Sequence, residues 1–563
     1  MVSNAGTLTF INGVPRLTGQ YSGFDTGAIV EATILAKRIP AIRMETTIEN
    51  NDLKSAAYTE LNTLLTNLQS SLSGLRNPPG ISGIDSNLFE DKSAFLTSST
   101  TTAATNLLGV TALNSASSGT YDVEILQIAT ANKQSSGTVA DATAAQGVTD
   151  TITIGLTGGT TKDIAITSDM TLYEIAEAIN NVKGDTDVRA SVVKIADNDY
   201  RLIVTGEETG KAVTLSGAGN FLSTYGDGSN LSEIQPAAKA QIKVDGIATV
   251  IERDSNEISD VIEGVTLQLY KAEVGNTIKV EIDNNLGGIK EAISNFATAY
   301  NQIKDFVKAQ RDYNPASETS ARPILYGDDI LRRIDDKLGS IIANGAQGVD
   351  STGISSLNVI GIGFDEENKL TIDDTKLDDA LVSNLEGVRD VFEFTFKPDD
   401  SRLRVISRSS ALNIDDFDLI IDGIDGSGNI TGASVTGYGD VFEINAAGLT
   451  GKAGTVFEGV TLAFVGTPGS GSQTINVKTS LGIAENIFQG LDDFTEAGVG
   501  EISTRLEQLT TENTDMNEKI VAIDVRLELT KAFLFEKYAR LEQVLAQAEA
   551  SRKQLEASLN NSN

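Results

Sequence analysis

Glu501-Ile502-Ser503-Thr504-Arg505-Leu506-Glu507-Gln508-Leu509 opens the stretch whose reading decides the architecture of this chain. The same three-four spacing of apolar residues continues through Met516, Ile520, Ile523, Leu527, Leu534, Leu541, Val544, Ala548 and Leu555 without losing phase, the signature of a coiled-coil seam. At about 1.5 Å per residue such a helix reaches about 80 Å from Ile502 to Leu555. A second stripe, Leu61, Leu65, Leu68, Leu72 and Leu75, lies near the other end of the chain. It is expected to stop at Asn77-Pro78-Pro79-Gly80, where neither proline can continue a helix without losing a hydrogen bond. Each stripe needs a partner helix. Chain ends that zip together or onto neighbouring subunits, with a glycine- and threonine-rich body between them, describe an assembling extracellular component better than an enzyme.

With 563 residues the chain is several domains long, so core size is no constraint. Its 44 basic residues against 78 acidic ones give a net charge of −34. Nucleic acid is not an expected partner, because no basic excess exists to displace counterions from phosphates. Cys, His and Trp are all absent. That excludes disulfides, thiolate nucleophiles, cysteine-histidine zinc sites and a histidine base titrating near neutral pH, and leaves carboxylate, lysine and tyrosine chemistry open. No cofactor is implied. No apolar run approaches the roughly 20 residues that span a bilayer, so membrane insertion is not expected. Met1-Val2-Ser3-Asn4-Ala5-Gly6-Thr7 has neither a charged n-region nor an apolar h-region, so no cleavable secretory signal is visible.

The expected organisation follows from periodicity and punctuation. Residues 1–24 read as an extended segment and 25–80 as helix, capped by Ser22 or Asp25, with Ile29, Val30, Ile34 and Leu35 on one face and a break or kink at Pro40. Residues 81–285 read as β-rich, in short alternating runs such as Tyr121–Leu126 and Thr151–Ile154, with one helix over Thr171–Val182. Residues 286–394 turn helical, with Ile289, Ile293, Phe296, Tyr300, Ile303 and Phe306 on one face and further amphipathic stretches near Asp329–Ile342 and Leu377–Phe392. Residues 395–482 read as an inserted β domain, and 483–563 as the C-terminal coiled-coil helix. Val261-Ile262-Glu263-Gly264-Val265-Thr266-Leu267 is echoed by Val456-Phe457-Glu458-Gly459-Val460-Thr461-Leu462, which suggests two related β units.

Three stretches invite a chemical reading. Gly206-Glu207-Glu208-Thr209-Gly210-Lys211 has the look of a phosphate loop but lacks its full spacing and precedes a strand, so a hairpin turn is expected. Asp422-Gly423-Ile424-Asp425-Gly426-Ser427-Gly428-Asn429 is rich in hard oxygen ligands, yet it lacks calcium-loop spacing and a closing glutamate, and reads as a hairpin. Asp365-Glu366-Glu367 with Asp373-Asp374 reads as the solvated face of a β-turn-β unit.

Ser22-Gly23-Phe24-Asp25, Ile29-Val30, and Pro40 followed by a leucine-rich helix resemble the N-terminus of the bacterial flagellar filament cap family, hook-associated protein 2 (FliD). Thr171-Leu172 through Ile175, Ala178-Ile179-Asn180 and Tyr200–Val204 resemble a short repeat of the exposed domains of flagellins, placed near 171–215. Val244-Asp245-Gly246, Asn256-Glu257-Ile258, Gly264–Leu267, Phe296–Asn301, Leu325–Asp328, Ile360–Phe364 and Leu370–Asp373 are similar to the core of the cap family. Their shared order is the specific signal. Thr33 departs from the leucine usual in the family, and residues 395–480 are longer than expected of short members.

The resemblance implies a multidomain α+β fold, with long N- and C-terminal helices forming a coiled coil, an α-rich leg domain and β-rich head domains. It also implies a non-enzymatic, homo-oligomeric ring at the distal tip of the extracellular flagellum, exported through the flagellar type III channel, beneath which flagellin folds and is inserted. Flagellin, the hook-filament junction protein and the flagellar export chaperone are the implied partners, and host mucin or glycans a further ligand in cell adhesion. Self-assembly and filament contact are then expected at Ile29, Val30, Leu61, Leu65, Leu68, Leu72 and Leu75, and at Ile502, Leu506, Leu509, Met516, Ile520, Ile523, Leu527, Leu534, Leu541, Val544 and Leu555. Asn513, Thr530, Lys537 and Ser551 interrupt the seam; either they turn to water or they set its register. Another axial protein, such as a flagellin or junction protein, and a β-rich surface adhesin are the competing readings.

Overall fold

The computed structural model describes residues 7–11, 14–18, 21–77, 87–228, 230–313, 321–349, 353–408, 412, 414–445 and 448–560. The chain forms two compact units, Met1–Pro79 with Lys290–Asn563, and Gly80–Ile289.

In the first unit a hairpin of β1 (Thr7–Ile11) and β2 (Val14–Thr18) precedes α1 (Thr26–Leu72). Asp25 caps this 47-residue helix by accepting from the Ala28 amide at 3.0 Å. The expected break at Pro40 does not occur. Pro40 removes one hydrogen bond, to the Ala36 carbonyl, but Val30 and Ala41 on either side of it are wholly buried, and packing of the face outweighs that single loss. The helix also ends at Leu72, short of the stop expected at Asn77. Ser71 and Ser73 hydroxyls donate to the Leu68 and Ser70 carbonyls and the Ser73 amide turns to Ser70, which tightens the last turn. Leu75 remains buried beyond that turn, and Pro78-Pro79-Gly80 lie outside the described residues.

The second unit starts with β3 (Lys92–Ser98), β4 (Leu108–Ala112) and β5 (Gly119–Gln127). An insert follows, with β6 (Ala131–Ser135), β7 (Asp150–Leu156), β8 (Thr161–Ile166), α2 (Leu172–Asn181), α3 (Lys183–Thr186), β9 (Val188–Ala196), β10 (Asp199–Thr209), β11 (Val213–Gly217), α4 (Phe221–Tyr225) and β12 (Ser232–Gln235). The chain then returns through β13 (Ala240–Val244), β14 (Ile251–Arg253), β15 (Glu257–Ile262), β16 (Val265–Leu269) and β17 (Thr277–Asn284). The outer strands build a sandwich of one sheet ordered β14-β13-β5-β17-β3 and another ordered β15-β16-β4, sharing a core that includes Val123, Ile125, Ile242, Leu267 and Val280. The insert has sheets β12-β6-β10-β9 and β11-β7-β8 around its own core, with Ile152, Ile154, Leu172, Ile175, Ile179, Leu202 and Val204. Thr171 and Glu174 close a capping box on α2.

The chain continues through α5 (Leu286–Arg311), α6 (Asp329–Asn344), β18 (Ile362–Phe364), β19 (Leu370–Ile372), α7 (Asp374–Ser383) and α8 (Leu385–Phe392). The single stretch expected over Leu377–Phe392 is two helices. Asn384 leaves helical geometry and its side chain accepts from the Gly387 amide at 3.0 Å, starting α8 afresh. A second sandwich follows: β20 (Phe394–Pro398), β21 (Leu403–Ser407), β22 (Asp416–Ile424), β23 (Ile430–Val435), β24 (Phe442–Asn445), β25 (Gly448–Gly451), β26 (Thr461–Phe464) and β27 (Gln473–Leu481), in sheets β20-β27-β22-β23 and β21-β26-β25-β24. Then come α9 (Ile483–Thr495) and the 60-residue α10 (Glu501–Asn560).

A buried ion cluster ties this sandwich to the helices. Arg408 and Glu485, each 2% exposed, meet at 2.9 Å, and Arg76 reaches the same Glu485 oxygen at 3.4 Å. The Arg408 and Arg76 guanidinium groups also lie over the Phe394 and Phe488 rings, 4.1 and 3.5 Å from their centroids. Burial pushes Arg408 down to about 10, opposed by the Glu485 charge. Glu485→Gln strands this arginine without its counter-charge and is expected to lower stability by about 3–5 kcal/mol. Replacing Arg76, Arg408 and Glu485 together by Met is expected to recover most of that loss, read in both cases by urea unfolding.

Candidate assembly surface on the terminal helix pair

α1 and α10 run antiparallel, and three polar ties set their register. Glu542, buried on α10, accepts from the Tyr21 and Ser22 amides at 2.9 and 3.2 Å, just before α1 begins. Arg38 forks onto Asp524 at 2.9 and 3.1 Å and also reaches Glu45 at 2.7 Å. Buried Asn51 donates to Asn513 at 2.9 Å, and Asn513 donates to Asp52 at 2.8 Å. Asn513 is therefore one half of a polar layer across the seam, the kind of layer that specifies register. The other interruptions are not: Thr530 donates to its own helix at the Arg526 carbonyl, and Lys537 and Ser551 face water.

The pairing sorts the expected residues. Val30, Leu61, Leu65, Leu68, Leu72, Leu75, Ile502 and Leu509 are wholly buried, Ile520 and Leu527 nearly so. Leu506, Met516, Ile523 and Leu534 are half-buried. Ile29, Leu541, Val544 and Leu555 are exposed, so the uninterrupted seam to Leu555 is corrected. Beyond Leu534 the covered face of α10 passes to Tyr538, Ala539, Glu542 and Leu545, one position later than the heptad. A straight helix drifts about 20° per heptad against a 3.5-residue repeat, so five heptads displace the stripe by one residue.

The outer faces of both helices are also apolar. Val521, Val525, Leu529 and Phe533 project from α10 on the side away from α1, Leu529 being 70% and Phe533 64% exposed. Leu35, Ile39 and Ile42 project from α1 in the stretch around the Arg38–Asp524 tie, at the height of Val521 to Leu529. Tyr21 and Phe24 extend the exposed surface at the start of α1. The i, i+4 spacing of the α10 residues carries this second stripe in the sequence, where the stronger heptad masks it.

The other candidates have local roles. The Asp425 carboxylate accepts from the Ser427 and Asn429 amides at 2.8 and 2.9 Å, so the oxygens that suggested calcium fix the β22–β23 turn. Gly206–Thr209 belongs to β10. In a cavity of about 410 Å³ lined by α5, α6 and the β18–β19 hairpin, Lys304 and Arg311 are paired with Asp335, and Lys308 with Glu367. Among the described residues no cluster of acidic side chains is placed to hold a metal ion, and no helix is long and apolar enough to cross a membrane.

A family profile described as Flagellar hook-associated protein 2 C-terminus matches residues 237–550, more than half of the chain. The chain belongs to the flagellar hook-associated protein 2 family. The profile of the N-terminus of the same family matches residues 22–132, and the Flagellin hook IN motif matches 151–208, within the insert of the second unit. Flagellar hook-associated protein 2 of Escherichia coli O157:H7 is 30% identical over 390 residues, 66% of this chain and 78% of that protein. B-type flagellar hook-associated protein 2 of Pseudomonas aeruginosa is 29% identical over 318 residues, 51% of this chain and 64% of its relative. The crystal structure of the flagellar cap protein FliD D1-D2-D3 domains from Escherichia coli aligns with a TM-score of 0.46 at 30% identity, over 60% of this chain and 90% of that one. Like its family, the chain combines long terminal helices with β-rich domains in a mixed α+β fold.

Two outcomes are expected of the register ties. Asn513→Leu leaves the buried Asn51 amide only its longer 3.3 Å bond to Glu512 and should cost about 1–3 kcal/mol in urea unfolding, while Asn51→Leu with Asn513→Leu restores stability. Arg38 holds the Asp524 carboxyl below its ordinary value of 3.8, chiefly by hydrogen bonding. A lowered carboxyl stabilises the folded state above its unfolded value and loses that contribution as pH falls through the folded one. Wild type should therefore exceed Asp524→Asn in thermal stability at neutral pH, with the difference closing in acid below 3.8.

Proposed function

We propose that this chain caps the flagellar filament as a homo-oligomeric scaffold at its distal tip, where exported flagellin folds and is inserted. The observation that carries the reading is the terminal helix pair. It has spent one apolar face on its own seam and presents a second on each helix, Leu35, Ile39 and Ile42 on α1 and Val521, Val525, Leu529 and Phe533 on α10. An exposed apolar stripe of this length on paired helices marks a contact surface. The stripe extends the expected assembly residues, of which Ile29, Leu541, Val544 and Leu555 are the ones still exposed. The relatives named as hook-associated proteins give the reading its flagellar setting.

In this reading the helices of residues 286–394 act as the leg, and the β-rich stretches 81–285 and 395–482 as heads. Flagellin and the hook-filament junction protein meet the terminal helices, and the export chaperone engages them before secretion. Mucin or glycan binding by the heads rests on the family resemblance alone. Long helices suit a cap that must hold while admitting subunits, because they order fully only against a partner and can release and reorder.

Gold-tagged antibody against the chain should mark only the distal tips of sheared flagella in electron micrographs. Label along the filament or at the hook junction would refute capping. Val525→Asp, Leu529→Asp and Phe533→Asp together are expected to leave monomer stability nearly unchanged, within about 0.5 kcal/mol per exposed site. The same variant should abolish the oligomer in analytical ultracentrifugation and the restoration of swimming in a strain lacking the chain.

A further inference from the structure

We infer that residues 394–481 are a second copy of the sandwich module built by residues 92–284, and that the Asp425–Asn429 turn is the site at which this copy accepts an inserted domain. The inference stands on topology and register, independently of the capping role.

The strand orders coincide. β3-β17-β5-β13 in one sheet corresponds to β20-β27-β22-β23, and β4-β16-β15 in the other to β21-β26-β25. Each module ends in a strand leading directly to a helix, β17 to α5 and β27 to α9. Each also begins and ends on paired residues, Lys92 with Asn284 and Phe394 with Leu481.

A shared sandwich topology alone would account for strand order but not for the register. Ile278 and Val280 pair with Val123 and Tyr121, and Ile475 and Val477 pair with Leu419 and Phe417. Tyr121-Asp122-Val123-Glu124-Ile125 therefore falls on Phe417-Asp418-Leu419-Ile420-Ile421. On the next strand Ile242 and Val244 face Ile125 and Val123, as Ala433 and Val435 face Ile421 and Leu419. In the other sheet Leu267 pairs with Val110 as Leu462 pairs with Val405.

The turns repeat as well. The Asp245 amide donates to the Asp122 carbonyl at 2.8 Å, and the Thr436 amide to the Asp418 carbonyl at 3.0 Å. Each is followed by a left-handed glycine, Gly246 at φ 66° and Gly437 at φ 84°. Glu263-Gly264-Val265-Thr266-Leu267 and Glu458-Gly459-Val460-Thr461-Leu462 occupy matching positions, with Gly264 and Gly459 at φ 75° and 80°.

The modules differ most between their third and fourth corresponding strands. The first module carries the whole insert from β6 to β12, with a core of its own, between β5 and β13. The second module joins β22 to β23 through Asp425-Gly426-Ser427-Gly428-Asn429, closed by the Asp425 carboxylate. The corresponding junction of the first module already holds a domain, so the strand ends at Ile424 and Ile430 are geometrically suited to receive one.

The test exchanges the two junctions in the full chain: residues 128–239 are moved between Gly426 and Ser427, and the Asp425–Asn429 turn closes the gap between β5 and β13. This exchange should give a soluble chain with wild-type far-UV circular dichroism and a cooperative transition. The same segment placed in the β20–β21 connection, between Asp400 and Ser401, should give an aggregated one. Equal failure or equal success at both sites overturns the acceptor site. An experimental structure of the unaltered chain tests the duplication separately. The paired strands should superpose to within less than half the ~4.8 Å spacing of neighbouring strands, and a larger deviation overturns the copy.

Discussion

The antiparallel seam between α1 and α10 is the contact on which the first unit depends. It joins stretches separated by more than 400 residues of chain, so its apolar burial must offset the entropy of closing a very long loop as well as that of ordering two helices. Fully burying a leucine or isoleucine side chain is worth about 1.5–3 kcal/mol, and along the seam Val30, Leu509, Ile520 and Leu527 are buried. Most of the stability of helices in proteins comes from packing an amphipathic face, and here each helix covers part of that face of the other.

Apolar burial leaves the register of such a pair loosely defined, because sliding by a heptad exchanges one set of leucines for another. The polar ties remove that degeneracy. Asn51 with Asn513, Arg38 with Asp524, and Glu542 with the amides of Tyr21 and Ser22 can be satisfied together in one alignment only. With that alignment fixed, Leu35, Ile39 and Ile42 lie at the height of Val521 to Leu529, and each helix keeps an exposed apolar face. The internal seam and the external contact surface are thus two consequences of one register.

The β modules follow a different logic. Each is bounded by two paired neighbouring strands, so a sandwich can be added to the chain without disturbing the path of the helices. The second module is then fixed by Arg408, whose charge is compensated by Glu485 and whose face is stacked on Phe394. A buried pair of this kind gains little net stability, but it penalises any arrangement that separates its members.

Much of this was legible in the sequence. The two long helices followed from heptad spacing, a helix was expected over Thr171–Val182, and the repeated Glu-Gly-Val-Thr-Leu suggested two related β units. These are local or periodic signals, carried by residues within one or two turns or strands of one another. What the sequence could not settle depended on neighbours distant in the chain. Pro40 sits in an unbroken helix because α10 packs across it, and Asn513 has a role because Asn51 lies opposite. Leu541 leaves the seam because drift accumulated over five heptads moves the covered face one position later, and Val544 and Leu555 lie past the start of α1, where that helix no longer faces α10. By itself the sequence determined which segments are helix or strand and which faces are apolar, since those follow from the backbone period and side-chain hydrophobicity. Only the tertiary structure decided which apolar face is covered and which is left for a partner, because burial belongs to a pair of surfaces and the second member lies hundreds of residues away.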